Sequence, residues 1–212
     1  MIKYGVFGGS FDPPHYGHLA LAETARVQLS LARVLFVPAG QPPHKQKRVL
    51  SAAEDRVGLV QAAIGDNRAF ALSRVDLDRP GPHYTVDMLA LLKEQCPQVA
   101  RWHFLMGEDS LHDLPDWYDP HGILQQAYLA VMPRRGKPAD LEALYGQFPR
   151  LKERLVWLDV PYLNISSTIL RERAEKGLPL RYLVTPTVEA YIRERGLYGS
   201  LCSIEEGGYP VA

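Results

Sequence analysis

The sequence predicts an α/β fold: a doubly wound, mostly parallel sheet with helices on both faces. Two observations predict it. Short apolar runs alternate with stretches of helical spacing along most of the chain. Parallel neighbours need crossover connections, and these are usually helical, so such alternation favours a sheet covered on both sides. Segments rich in glycine, hydroxyl and charged side chains follow the strand-like runs, as sites do at the carboxyl ends of strands in sheets of this kind.

The elements follow in order. Ile2 to Phe7 reads as a buried strand stopping at Gly8 and Gly9. From about Gly17, the residues Leu19, Leu21, Ala22, Ala25 and Leu29 approximate helical spacing, and Arg33 to Val37 is strand-like again, completing a βαβ unit. Ser51 followed by Glu54 is a capping-box pattern opening a helix to about Ile64, and "AFALSRV" after it is the next strand. Thr85 to about Gln95 has helical spacing, and Trp102 to Met106 is an apolar run ending at Gly107. "AYLAVM" from Ala127 and "RLVWLDV" from Arg154 supply two more strands, with a helix near Asp140 to Phe148 between them. Two helices close the chain, Ser167 to Lys176 and Thr187 to Arg195, each stopped by a glycine. Residues 1–200 therefore read as a single domain whose C-terminal helices begin at about 167. The polar, aperiodic stretch 201–212 reads as a mobile tail.

Composition narrows the function classes. At 212 residues, 46% hydrophobic and 23% charged, the chain is long and apolar enough for a packed core. Lys plus Arg and Asp plus Glu number 24 each, so nothing in the bulk charge argues for a nucleic-acid polymer or an anionic membrane as partner. An anion site must be local. Cys96 and Cys202 are the only cysteines, which excludes a disulfide framework and a cysteine zinc site and fits a reducing cytoplasm. The apolar run at the start is too short for a signal peptide or a membrane span.

The first local site is "GGSFDPPHYGH". Gly8 and Gly9 allow the backbone to approach a ligand and offer N–H groups, which Ser10 and Phe11 extend. A helix starting near Gly17 directs its positive dipole end to the same region. His15 and His18, three apart, share one face there, so two imidazoles can meet one anion. Two other readings are open: a tight turn with capping histidines, and a metal site with Asp12, His15 and His18 as ligands, although nothing completes that set.

The second site is "NISSTILRERAEKG". Ile165 ends the preceding segment, and Ser166, Ser167 and Thr168 stand where free N–H groups and hydroxyls at a helix N-terminus suit phosphates. Arg171 adds a planar fork of donors. A well-capped helix is the plain structural reading.

These two segments resemble the G-S/T-F-D-P-x-H-x-G-H and I-S-S-T-x-I-R motifs of the nucleotidyltransferase superfamily, with Leu170 in place of the usual Ile. The resemblance implies a Rossmann-like nucleotidyltransferase fold in which His15 and His18 bind ATP phosphates and stabilise charge as a phosphate attacks the α-phosphorus. From Lys3 to about Tyr198 the chain is similar to the bacterial nicotinate-nucleotide adenylyltransferase family. "PPHK" at Pro42 to Lys45 matches a loop near the nucleotide phosphate, implicating His44 and Lys45. "GPHYTVDML" retains Thr85, expected to hydrogen-bond the nicotinate carboxylate, but has His83 for the family's Ser and Met88 for its Thr. "LPDWYDP" supplies Trp117 to stack on the pyridine and the Tyr118 N–H for the carboxylate. In "FLMGEDS", Gly107 gives adenosine room and Asp109 accepts from a ribose hydroxyl. An acid at that place, or Ser110, could equally cap the next helix.

The resemblance implies transfer of the adenylyl group of ATP to nicotinic acid mononucleotide, with Mg²⁺ carried by ATP and no protein metal ligand. If both histidines carry charge, activity should fall as pH rises past the free imidazole value of about 6.5. Nicotinamide mononucleotide or phosphopantetheine as acceptor, a nucleotide-binding regulator without turnover, and a non-enzymatic domain are the alternatives. The sequence is silent on oligomeric state.

Overall fold

A computed structural model describes residues 1–40, 50–133 and 138–199. Six strands form one sheet: β1 (Lys3–Gly9), β2 (Arg33–Pro38), β3 (Phe70–Leu72), β4 (Arg101–Gly107), β5 (Tyr128–Met132) and β6 (Leu155–Trp157), in the order β3-β2-β1-β4-β5-β6. Every pairing is parallel. The expected doubly wound sheet is therefore present.

Alternation along the strands explains the two layers of core. Val6, Leu35, Val37, Phe104, Met106, Leu129 and Val131 point to one face, where they meet Leu89 and Leu92 of α3 (Thr85–Gln95) and Ile123 and Leu124 of α5 (Pro120–Gln126). Phe7, Val34, Phe36, Leu105 and Ala130 point to the other, against α1 (Tyr16–Gln28), α2 (Ala53–Ile64), α8 (Ser167–Glu175) and α9 (Pro186–Glu194). Because both faces are covered, the strands read as continuous apolar runs.

Several boundaries differ from expectation for identifiable reasons. The Ser51–Glu54 capping box does not form: Ala52 is the N-cap of α2, with no side-chain cap bond. Long-range partners take both residues instead. The Ser51 N–H donates to Asp12 Oδ2 at 3.2 Å, and the Glu54 carboxylate pairs with Arg74 at 2.8 Å. The third strand pairs only with β2 over three residues, so it is shorter than "AFALSRV". Short helices that the periodicity did not reveal are α4 (Glu108–His112), α5 and α7 (Leu151–Arg154); α6 (Leu141–Gln147) matches the helix expected near Asp140, which caps it. The glycine stops of α8 and α9 are as expected. Gly177 and Gly196 have φ of 67° and 59°, and the N–H groups of Leu178 and Leu197 return to the carbonyls of Arg173 and Ile192 in Schellman turns.

The order in which strands are added reverses between β1 and β4, the topological switch point. Val6 pairs with Phe104, so Gly9 and Gly107, each three residues further on, lie level at the carboxyl end. Sites in open α/β sheets lie in the crevice there. Among the described residues no helix is long and apolar enough to cross a membrane.

Candidate active site

The loop after β1 is built around Phe11. Its φ is 50°, and its ring is 1% exposed, edge-on to Phe7 and to His18 with centroids 5.4 and 5.3 Å away. A Cβ on Gly9 would stand 3.1 Å from that ring, so glycine there lets Phe11 fold under the loop. The ring thus forms a floor beneath His18 and lines neither cavity described below.

His15 is the N-cap of α1, in extended conformation. Its main-chain N–H donates to His18 Nδ1 at 3.2 Å, and the two rings stack with centroids 3.7 Å apart. Capping is therefore one role of these histidines. It does not compete with ligand binding, because an imidazole that accepts at Nδ1 carries its proton on Nε2 and donates from there. Gly17 serves His15: a Cβ at that position would lie 3.0 Å from His15 Cε1 and Nδ1.

The second motif is fastened to the first. Ser166 caps α8, accepting from the Ile169 N–H at 3.3 Å. Ser167 Oγ donates to the Pro13 carbonyl at 2.8 Å, and Arg171 Nη1 donates to the Asp12 carbonyl at 2.6 Å while Nη2 donates to Thr168 Oγ1 at 3.3 Å. The Ser167 hydroxyl and the Arg171 guanidinium, both expected on phosphate, thus also hold the two loops together. A guanidinium has five N–H donors, so these bonds do not exhaust Arg171.

Two cavities flank the switch point. One, of about 540 Å³, is lined by His15, Gly17, His18, Ile165 and Ser166. The other, of about 490 Å³, is lined by Gly8, Gly9, Ser10, Thr85, Trp117 and Tyr118. Phe7 and Gly107 line both, so the cavities meet at the ends of β1 and β4. The opening motif, the Gly107 segment and the Ile165 segment do converge on one crevice. Gly107 is the N-cap of α4, and Asp109, exposed in its first turn, lines neither cavity; nor does the exposed Thr168. Thr85 is the first residue of α3, whose free N–H groups face its N-terminal end. The Trp117 indole packs at 84° to Phe104, and the Tyr118 ring stacks on Tyr84 at 4.1 Å. His44 and Lys45 lie outside the described residues. Among the described residues no group of three or more His, Cys, Asp or Glu is placed to hold a metal ion.

Residues 6–173 match the cytidylyltransferase-like family model. A relative from Thermomicrobium roseum, named probable nicotinate-nucleotide adenylyltransferase, is 46% identical over 198 residues, covering 93% of this chain and 92% of the relative. The chain belongs to the nicotinate-nucleotide adenylyltransferase family. A Roseiflexus relative of the same name is 45% identical over 92% of this chain and 96% of its own length. Plasmodium falciparum nicotinic acid mononucleotide adenylyltransferase, solved in complex with NaAD, shares the fold with a TM-score of 0.73 at 20% identity, over 93% of this chain and 98% of that one.

In this member of the nicotinate-nucleotide adenylyltransferase family, three groups that sequence reasoning passed over organise the crevice. Arg56 is 4% exposed, and it donates to the carbonyls of Ser10 (3.2 Å), Ala39 (2.7 Å) and Ser51 (3.2 Å). Burial pulls its pKa down, and the charge of Asp12 leads the effects opposing that, so the guanidinium stays charged. Asp76, 6% exposed, accepts from the Gly40 N–H at 2.9 Å and from Arg79 Nη2 at 2.7 Å, and Arg79 in turn donates to the Pro82 and Tyr84 carbonyls. This pair braces the chain leading into Thr85. His83 packs on Gly40, where a Cβ would meet its ring at 2.6 Å. The third group is Tyr198, whose hydroxyl donates to Asp12 Oδ1 at 2.6 Å. The Asp76–Arg79 spacing was visible in sequence; Tyr198 and two of the three bonds of Arg56 depend on partners 17 or more residues away.

Proposed function

We infer that the chain transfers the adenylyl group of ATP to nicotinic acid mononucleotide, giving nicotinic acid adenine dinucleotide and pyrophosphate in NAD biosynthesis. The observation that carries this reading is the meeting of two cavities at Phe7 and Gly107, with the histidine pair lining one and Thr85 and Trp117 the other. Joining two phosphate-bearing substrates needs each to be held in its own recess with the reacting ends converging. The names of the curated relatives point to the same acceptor.

ATP takes the cavity of His15, His18, Ile165 and Ser166, with adenosine against Gly107 and phosphates near the N–H groups of Gly8 to Phe11 and the start of α8; Asp109, outside the cavity lining, is assigned the ribose by the family resemblance alone. The acceptor's 5′-phosphate oxygen attacks the α-phosphorus, the bond to the oxygen bridging α and β breaks, and pyrophosphate leaves with that electron pair. No protein nucleophile is needed. The His18 Nε2–H, the His15 ring, Arg171 and the hydroxyls of Ser166, Ser167 and Thr168 supply donors where charge grows. Mg²⁺ enters as part of the substrate, held by phosphate oxygens and water. The pyridine stacks on Trp117, and its carboxylate meets Thr85, the Tyr118 N–H and the positive end of α3. His44 and Lys45 take the mononucleotide phosphate. The reaction is assigned to the cytoplasm.

A pyrophosphate-release assay with ATP and each of nicotinic acid mononucleotide, nicotinamide mononucleotide and phosphopantetheine tests the assignment. Release is expected to be fastest with the first. Preference for either other acceptor would replace the substrate and keep the chemistry. ATP binding without release from any of the three would leave a nucleotide-binding regulator.

A further inference from the structure

After α9 the chain takes left-handed conformations at Gly196, Tyr198 and Gly199, with φ of 59°, 63° and 80°. A positive φ at an aromatic residue is uncommon and persists only where its surroundings determine it. Here two things do. The Tyr198 ring packs against the core face that carries α1 and α8, and its hydroxyl reaches Asp12, 186 residues away in sequence.

Asp12 is a hub. Its side chain is 2% exposed, with Oδ1 accepting from Tyr198 and Oδ2 from the Ser51 N–H. Its own carbonyl accepts from Arg171. The residue therefore links the loop that carries His15 and His18, the chain entering α2, and the guanidinium of α8. A buried carboxylate that loses one of two donors is left with an unsatisfied charge and must shift or recruit water. Burial first, and then the Asp12 charge, keep the Tyr198 phenol well above its usual pKa, so it remains a donor at any working pH.

We propose that Tyr198 is a positioning residue for adenylyl transfer, its hydroxyl fixing the Asp12 carboxylate and, through it, the phosphate loop and Arg171. This rests on the reading of the crevice as an ATP site. The C-terminal turn is on this view part of that site, although it touches no substrate.

Tyr198→Phe removes the hydroxyl and keeps the ring that packs on the core. Urea unfolding gives the folded fraction, and rates are compared per folded molecule. The expected result is a roughly tenfold fall in kcat/KM for ATP, with KM for the acceptor mononucleotide unchanged, as suits the loss of one hydrogen bond to a charged group. In a double-mutant cycle with Arg171→Lys the losses should be less than additive, since both act through Asp12. Unchanged kcat/KM with only a lower Tm would overturn the proposal, as would an equal rise in KM for both substrates. Calorimetric titration of ATP into both full-length chains separates this from the acceptor assignment. If the parent chain turns over none of the acceptors, about tenfold weaker ATP binding by Tyr198→Phe still supports the role of Tyr198, and equal binding refutes it.

Discussion

The main-chain N–H of His15 donates to Nδ1 of His18, and the two rings stack 3.7 Å apart. A proton on Nδ1 would break that bond, and two adjacent stacked cations would repel. On the proposed reading of the crevice, His18 is then a donor through Nε2, with Nδ1 taken up by the cap.

This arrangement separates two functions of one side chain. In His18→Asn the amide oxygen stands near the place of Nδ1 and preserves the cap, while the outward donor is lost. Stability should stay within about 1 kcal/mol of the parent, and turnover should fall roughly 100-fold or more, the usual effect of deleting one such donor. His18→Gln reverses the pattern, keeping a donor near Nε2 and losing the cap. Urea unfolding and steady-state pyrophosphate release on both variants check it. Equal activity in the two would refute the division.

Gly17→Ala tests the histidine pair from the other side. The new methyl would press on His15 Cε1 and Nδ1 at 3.0 Å, so the ring must give by a few tenths of an ångström and its stack with His18 is disturbed. A loss in kcat of about tenfold is expected, with acceptor KM unaffected, since misplacement of a catalytic group by a fraction of an ångström is costly. Parent-like kcat would show that the ring position is not critical.

How much of this could be read from the sequence depends on the reach of each interaction. The β1–α1 loop, the glycine stops of α8 and α9 and the alternation of elements are local, and Gly9, Gly17, Gly177 and Gly196 announce them. The Ser51–Glu54 pattern is also local, yet it failed because Asp12 and Arg74 outbid the helix end for those two residues. Helices of four to seven residues, such as α4, α5 and α7, make too few turns for periodicity to show. The bonds of Arg171 and Ser167 to Asp12 and Pro13 span more than 150 residues, and no pattern in either motif encodes them.

Trp117 divides its surface between Phe104 and the cavity. Trp117→Ala should raise KM for the acceptor roughly tenfold or more, as expected for losing one ring stack of about 1–3 kcal/mol, and leave ATP affinity unchanged. Tyr118→Ala should do little, because that ring is 58% exposed, stacks on Tyr84, and is assigned a role only through its main chain. Initial-rate measurements varying each substrate in turn distinguish the two outcomes. A matching rise in KM for ATP would place Trp117 elsewhere in the mechanism.

Buried His103 makes stability depend on pH below neutrality. It is 4% exposed on β4, and burial, followed by the charges of Arg101 and Lys3, pushes its imidazole down to about 4. The unfolded chain takes up that proton near pH 6.5 and the folded chain does not until about pH 4. The unfolded state therefore binds more protons across that window, and stability falls as pH falls. Above 6.5 the contribution is constant; by pH 4 about 3 kcal/mol is lost through this residue. Replacement by a side chain that cannot titrate should remove that slope. Urea unfolding of the parent and His103→Gln at pH 7.5, 6.0 and 5.0 measures it: the parent is expected to lose its margin over the variant by about 1.4 kcal/mol per pH unit below 6.5. Parallel stability curves would mean that His103 titrates alike in the folded and unfolded chain.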